Sequence, residues 1–262
     1  MRGKASAVLL ALTIVALAPS LGVAQYAPKW HVGDWWITKE WRFYSVTGKP
    51  YWHYTRYDIG GIERVRNRNC YVLETRGSSR PNISKSGAAG NVLYVRTDDW
   101  LVVRHVLTIG GYKPQPPIVR DCPRGLFGPF PEEPELPRLP LRLGDPDTAF
   151  RKQKRDDGSA YLREISSVAD PELLKRLLAV GDTLGSQAVR PSGTVYQVRV
   201  EMGGNLEPGP FPGELGITQS LQFWCEGQPW RVYEEHVQYE GKKRARYVTG
   251  RSWLIASNHA EK

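Results

Sequence analysis

The strongest pattern along the chain is alternation with a period of two. From Trp35 to Tyr44 one side carries Trp35, Ile37, Trp41 and Phe43, with Lys39 as the exception. The other side carries Trp36, Thr38, Glu40, Arg42 and Tyr44. Such a pattern predicts a half-buried antiparallel strand, with Trp35 on the core side and Trp36 pointing away. "VTGKP" supplies turn chemistry, and Tyr51 to Ile59 returns as the partner strand. Gly60 and Gly61 predict the next turn, and Ile62 to Thr75 a further strand with a bulge near Asn67–Asn69. Val92–Arg96 and Trp100–Ile109 predict a hairpin. In the second half Thr194–Met202, Ile217–Cys225, Trp230–Tyr239 and Ala245–Ile255 alternate in the same way, the last two as a hairpin around "EGKK".

Two stretches break the pattern. Residues 111–140 hold closely spaced prolines, which forbid a helix or a central strand there. Leu126, Phe127 and Phe130 within it argue for a crossover packed on the fold. The second stretch is a helix predicted over 171–180. Asp170 suits the N-cap, Pro171 the first turn, and Glu172 the positive end of the helix dipole. Leu173, Leu174, Leu177 and Leu178 make one apolar stripe, and Gly181 can end the helix. So short a helix must dock on something, by default the sheet.

Landmarks recur in the same order. "VGD" (Val32–Asp34) precedes Tyr71, then Tyr94, Trp100 and Val102. "LGD" (Leu143–Asp145) precedes Tyr196, then Trp224, Trp230 and Val232. Two related β units would explain this, with Trp100 and Trp230 at equivalent positions in similarly ordered strands. The alternative is that hairpins resemble one another. The expected organisation is a leader at 1–24, a β unit at 25–110, the proline-rich connector at 111–140, a second β unit at 141–256 and a polar tail at 257–262 that frays. The expected fold class is mainly β: long antiparallel strands in one or two curved sheets, with one short docked helix.

The leader changes where the protein is expected to work. Arg2 and Lys4 precede the apolar run Ala5–Ala18, and Gly22 and Ala24 offer a cleavage site before Gln25. The run is too short to span a bilayer as a helix, so an exported chain with no transmembrane segment after cleavage is expected, periplasmic or extracellular. The formal charge of +9 falls by two with Arg2 and Lys4. Outside the cytosol such a charge meets anionic envelope polymers or lipid headgroups sooner than nucleic acid, which is not an expected partner. Three cysteines, Cys70, Cys122 and Cys225, allow at most one intrachain disulfide, with the pairing open.

Candidate chemistry is sparse. His31, His53, His105, His236 and His259 form no close ligand spacing, and no metal or cofactor is implied. Neighbouring acids such as Glu234/Glu235 point to opposite faces of a strand and cannot act together on one bond. Cys122, in "RDCPRG", has no histidine near it to activate it. No nucleophile elbow or phosphate loop is present, and no catalytic residue is assigned. Arg64, Arg66 and Arg68, two apart, predict a basic strand face. Lys242, Lys243 and Arg244 cluster at a hairpin tip. These are the candidates for anion binding.

In its export signal and its strand-rich pattern with one helix, the chain resembles the periplasmic lipoprotein carriers, in which a wide curved sheet closes over a small helix. That resemblance implies a non-catalytic role: binding an apolar or amphiphilic envelope ligand, a lipid for instance, in the hollow of the sheet. Trp35, Trp41, Phe43, Leu173 and Leu177 are the expected lining. The alternatives are a structural or anionic-polymer-binding envelope protein, and a hydrolase with an unrecognised site.

Overall fold

A computed structural model of the chain describes residues 25–43, 50–84, 90–98, 100–108, 116–121, 141–142, 149–155, 158–185, 187–204, 217–240 and 245–259. The leader, Cys122, most of the proline-rich stretch and the Lys242–Arg244 cluster lie outside these residues. The strands in chain order are β1 (Gln25–Tyr26), β2 (Trp35–Phe43), β3 (Pro50–Val65), β4 (Arg68–Ser78), β5 (Asn91–Arg96), β6 (Val102–Leu107) and β7 (Ile118–Asp121). The second half follows with β8 (Leu141–Arg142), β9 (Ala149–Arg155), β10 (Gly158–Val168), β11 (Val195–Gly204), β12 (Ile217–Cys225), β13 (Tyr233–Glu240) and β14 (Ala245–Ser257). The helix α1 (Pro171–Thr183) lies between β10 and β11.

Twelve strands form one sheet in the order β7-β6-β5-β4-β3-β2-β14-β13-β12-β11-β10-β9. Every pairing in it is antiparallel. This is the mainly β class that the alternation predicts. The order describes two meanders of six strands, the first running outward from the centre (β2 to β7) and the second inward from the other edge (β9 to β14), joined where β2 pairs with β14. The short strands preceding the meanders, β1 and β8, pair with each other, Gln25 opposite Arg142. Trp100 lies between the fourth and fifth strands of the first meander, and Trp230 between the fourth and fifth of the second. Tyr71 and Tyr196 each sit on a third strand. The described part of the proline-rich stretch contributes β7, an outer strand, where a proline-flanked segment can be tolerated.

Two local expectations are corrected. Gly60 and Gly61 make no turn; they lie inside β3 at a register shift between Ile59 and Gly61. The hairpin turns at Arg66 and Asn67, both with positive φ (48° and 63°), and Val65 faces Arg68 across it. Two successive left-handed residues give a turn whose twist matches the strands it joins, and asparagine adopts that conformation at low cost. Secondly, α1 runs past Gly181, which is buried within it, to Thr183. Asp170 does cap it, its Oδ1 accepting from Glu172 N–H at 3.0 Å.

The one-sided reading of β2 is also corrected: both its faces are covered, Ile37 and Lys39 being buried on one and Trp36, Thr38 and Glu40 on the other. Trp36 is completely buried, whereas Trp35 is only half-buried. Residues 25–34 lie across the Trp36 side. Trp30 packs against Trp36, Tyr71, Trp100 and Trp230 at ring separations from 4.6 to 6.1 Å. Tyr26 stacks on Tyr196 at 4.6 Å. Both anchors satisfy their polar ends, Trp30 Nε1–H donating to Pro229 O at 2.6 Å and Tyr26 O–H to Cys225 O at 2.8 Å. The opposite side of β2 faces α1. Lys39 Nζ donates to Gly185 O at 2.6 Å, just past the helix end. The last turn of α1 has no basic residue of its own, so this strand lysine supplies the cation that the helix dipole favours there.

Candidate functional site

The sheet face on which Lys39 lies is closely packed. Lys39 shares its face with Trp253, its register partner on β14, and with Tyr233 beyond it on β13. Trp253, Tyr233 and Phe223 are all completely buried. Tyr233 meets Trp253 edge-on at 5.8 Å. Large aromatic side chains therefore fill this face of the sheet next to Lys39.

Empty space lies beside the helix instead. Ala169 N–H donates to Val195 O at 2.8 Å, so the chain leaving β10 and the chain entering β11 are held together. Between them, the first half of α1 and residues 190–195 enclose a cleft of about 400 Å³. Its walls are mostly apolar, with Val168, Leu174, Leu178 and Val195 among them, and Lys175 and Arg190 stand at its edge. Leu174 and Leu178 are buried; Val168, 62% exposed, lies open at the mouth. Arg190 is bonded to Asp182, and Lys175 Nζ is 3.9 Å from Glu172. An apolar trough with cations at its rim can take an acyl or ring system and meet a negative headgroup.

The residues expected to line a ligand site are distributed around this region. Leu173 and Leu177 are half-buried and pack on the core beside Leu174 and Leu178, and Trp41 also packs on the core from β2. Trp35 is covered by the Arg56 guanidinium, 4.7 Å from its ring centre. Phe43 ends β2; its side chain lies outside what is described. The basic set is not one strand face: Arg64 lies near the end of β3, Arg66 is in the turn, and Arg68 begins β4. Arg66 pairs with Asp121 at 3.1 Å and Arg68 with Asp98 at 3.2 Å, so acidic side chains already answer two of the three charges. Among the described residues, no helix is long and apolar enough to cross a membrane.

Sequence reasoning missed a buried polar row, because its members come from four strands. Glu40 of β2 faces His53 of β3 on one side and Ser252 of β14 on the other, and Ser252 faces Glu234 of β13. Glu40 is paired with Arg42 at 2.8 Å. Glu234, 2% exposed, is paired with the equally buried Arg231 at 2.9 Å and lies 3.3 Å from His236 Nε2. Ser220 O–H donates to it at 2.7 Å and Gln222 Nε2–H at 3.1 Å. Burial pushes the Glu234 carboxyl up, but Arg231, then His236 and Ser220, more than offset this and hold it down at about 2. Burial likewise pushes the His53 imidazole down, with Glu40 opposing and Arg42 adding to the effect. A carboxylate held ionised has no proton to give, so Glu234 is a counter-ion to Arg231 and not a general acid.

A second cluster also escaped local spacing rules. His31 and Asp34 lie in the turn before β2, and His259 follows β14; their donor atoms all lie within 4.8 Å of one another. The expected fraying tail is instead bound as far as His259. Asn258 N–H donates to Trp35 O, Trp35 N–H to Asn258 Oδ1, and Asn258 Nδ2–H to Gly33 O. Cys70 and Cys225 are buried on β4 and β12, with four strands between them in the sheet.

No protein-family model and no curated protein matches the chain. Two solved structures are similar to it. A Bacteroides fragilis protein, named as exported and as having a YmcC-like fold, is 11% identical, with a TM-score of 0.38 over 90% of this chain and 99% of that one. A Parabacteroides distasonis protein, named as a lipoprotein, is 7% identical, with a TM-score of 0.37 over 87% of this chain and 96% of that one.

Proposed function

We propose that this is an exported, non-catalytic binding protein, and that it takes an apolar or amphiphilic ligand in the cleft beside α1. Export is supported by the leader pattern at residues 1–24. Ligand binding is carried by one observation, the cleft of about 400 Å³, which lies within the range of small-molecule sites. Its apolar walls suit a hydrocarbon or ring, and Lys175, exposed and only loosely placed near Glu172, suits an anionic head. Leu173 and Leu177, on the helix that walls the cleft, pack on the core beside Leu174 and Leu178. The ligand is thus assigned to the space beside the helix.

The test is titration of the purified protein with a fluorescent fatty acid whose emission rises in apolar surroundings. The expected outcome is a saturable rise that Val168→Asp weakens by at least about tenfold, equivalent to ~1.4 kcal/mol. Val168 is 62% exposed, so this change leaves the fold intact. Lys175→Glu should weaken the fatty acid more than an uncharged probe of the same size. A flat titration, or equal binding by wild type and Val168→Asp, would falsify the assignment.

A further inference from the structure

The geometry points to a divalent transition-metal site, with zinc as its best occupant, formed by His31, Asp34 and His259. Three features build it. First, Gly33, at φ +92°, folds the chain so tightly that Asp34 N–H reaches His31 O at 3.0 Å. That turn places both side chains on one side, and Asp34 Oδ2 also accepts from His31 N–H at 2.8 Å. Secondly, the three hydrogen bonds of Asn258 to Gly33 and Trp35 fix the segment after β14 against this turn. They deliver His259, whose side chain is 2% exposed, to the same carboxylate. Thirdly, His259 Nδ1 lies 2.8 Å and His31 Nδ1 3.5 Å from Asp34 Oδ2, with the two rings stacked at 5.8 Å.

These separations suit coordination. Metal–ligand bonds of about 2.0–2.1 Å in a tetrahedron place neighbouring donor atoms about 3.3 Å apart. The two separations from Asp34 Oδ2, 2.8 and 3.5 Å, bracket that edge. The remaining adjustment falls to His31, whose side chain is 46% exposed and free to swing, while Asp34 and His259 are held. Two imidazoles and one carboxylate form a borderline donor set that suits zinc, copper or nickel better than calcium or magnesium. Three protein ligands leave a fourth position for water, on the solvent side of His31. The residues lie together at one end of the sheet's central strand pair, where β2 begins and β14 ends, so an ion there would tie the turn before β2 to the segment that leaves β14. An ion that binds the folded chain alone must also stabilise it.

The experiment is calorimetric titration of the purified protein with zinc chloride, together with its melting temperature with and without zinc. The expected result is one ion per chain and a rise in Tm. His31→Ala, a change at an exposed side chain, should weaken binding by at least about tenfold and remove the rise. His259→Ala should do the same, whereas His53→Ala should leave both unchanged. Cobalt substitution should give the visible absorption of a tetrahedral nitrogen–oxygen site. Absence of binding by the wild type, or binding that His31→Ala leaves intact, would overturn the assignment.

Discussion

At the scale of single residues, the two neighbouring tryptophans of β2 make opposite demands. Trp36 is wholly enclosed by Trp30, Tyr57 and Trp230. Trp36→Ala leaves a large cavity there and should cost about 3–5 kcal/mol. Trp35 presents one side to Arg56 and solvent, so Trp35→Ala should cost well under half as much. Urea unfolding of both variants checks the ranking, and equal losses would contradict the assignment of faces. Glu234 supplies a pH prediction. Its carboxyl pKa is lowered to about 2 by Arg231, His236 and Ser220. The stability it contributes is fully present above the ordinary carboxylate range and is lost as pH falls towards that lowered value. Glu234→Gln should flatten the acid limb of a stability–pH curve. It should also cost about 3–5 kcal/mol at neutral pH, because it strands the buried Arg231. An unaltered acid limb would show that Glu234 is not the group responsible.

At the scale of elements, α1 depends on its cap and on docking. Asp170→Ala removes the acceptor for Glu172 N–H and should cost about 0.5–2 kcal/mol. Because Asp170 stands beside the cleft, the loss should also loosen the fluorescent fatty acid; thermal melts and the same titration check both. The helix and most strands were legible from sequence, since alternation and capping are local signals. What was not legible had a physical reason in each case. Gly60 and Gly61 offered turn chemistry that the bulge in β3 absorbed, while the hairpin turned at the less obvious Arg66 and Asn67. The faces of β2 were misread because both are covered, one by residues 25–34 and the other by α1, so neither reads as solvent-facing. Lys39 marked the difficulty: it is buried because a carbonyl at the end of α1 receives it, which no rule about strands foresees. The polar row and the His31–Asp34–His259 cluster were invisible for another reason. Their members are adjacent only through register between distant strands, His259 and Asp34 being 225 residues apart.

At the scale of the whole molecule, the six-strand meanders are symmetric in order but not in use. The second carries α1 between its second and third strands, where the first has only the Arg66–Asn67 turn. The candidate cleft exists because of that insertion, so the two halves should differ in ligand binding: the fatty acid probe should protect amides around 168–195 from hydrogen exchange and leave those around 65–68 unchanged. The central pair has a different consequence, one of timing. β2 and β14 come from opposite ends of the described chain yet form the middle of the sheet. During synthesis, β2 waits for its second neighbour, β14, until nearly everything else has appeared. Contacts of such long sequence separation are slow to close, and the waiting strand exposes Trp36 meanwhile. Refolding from denaturant should accordingly be slow and prone to aggregation, with tryptophan fluorescence settling late, and a chain cut before Ala245 should leave the β14 edge of β2 unpaired and its tryptophans more accessible to a quencher.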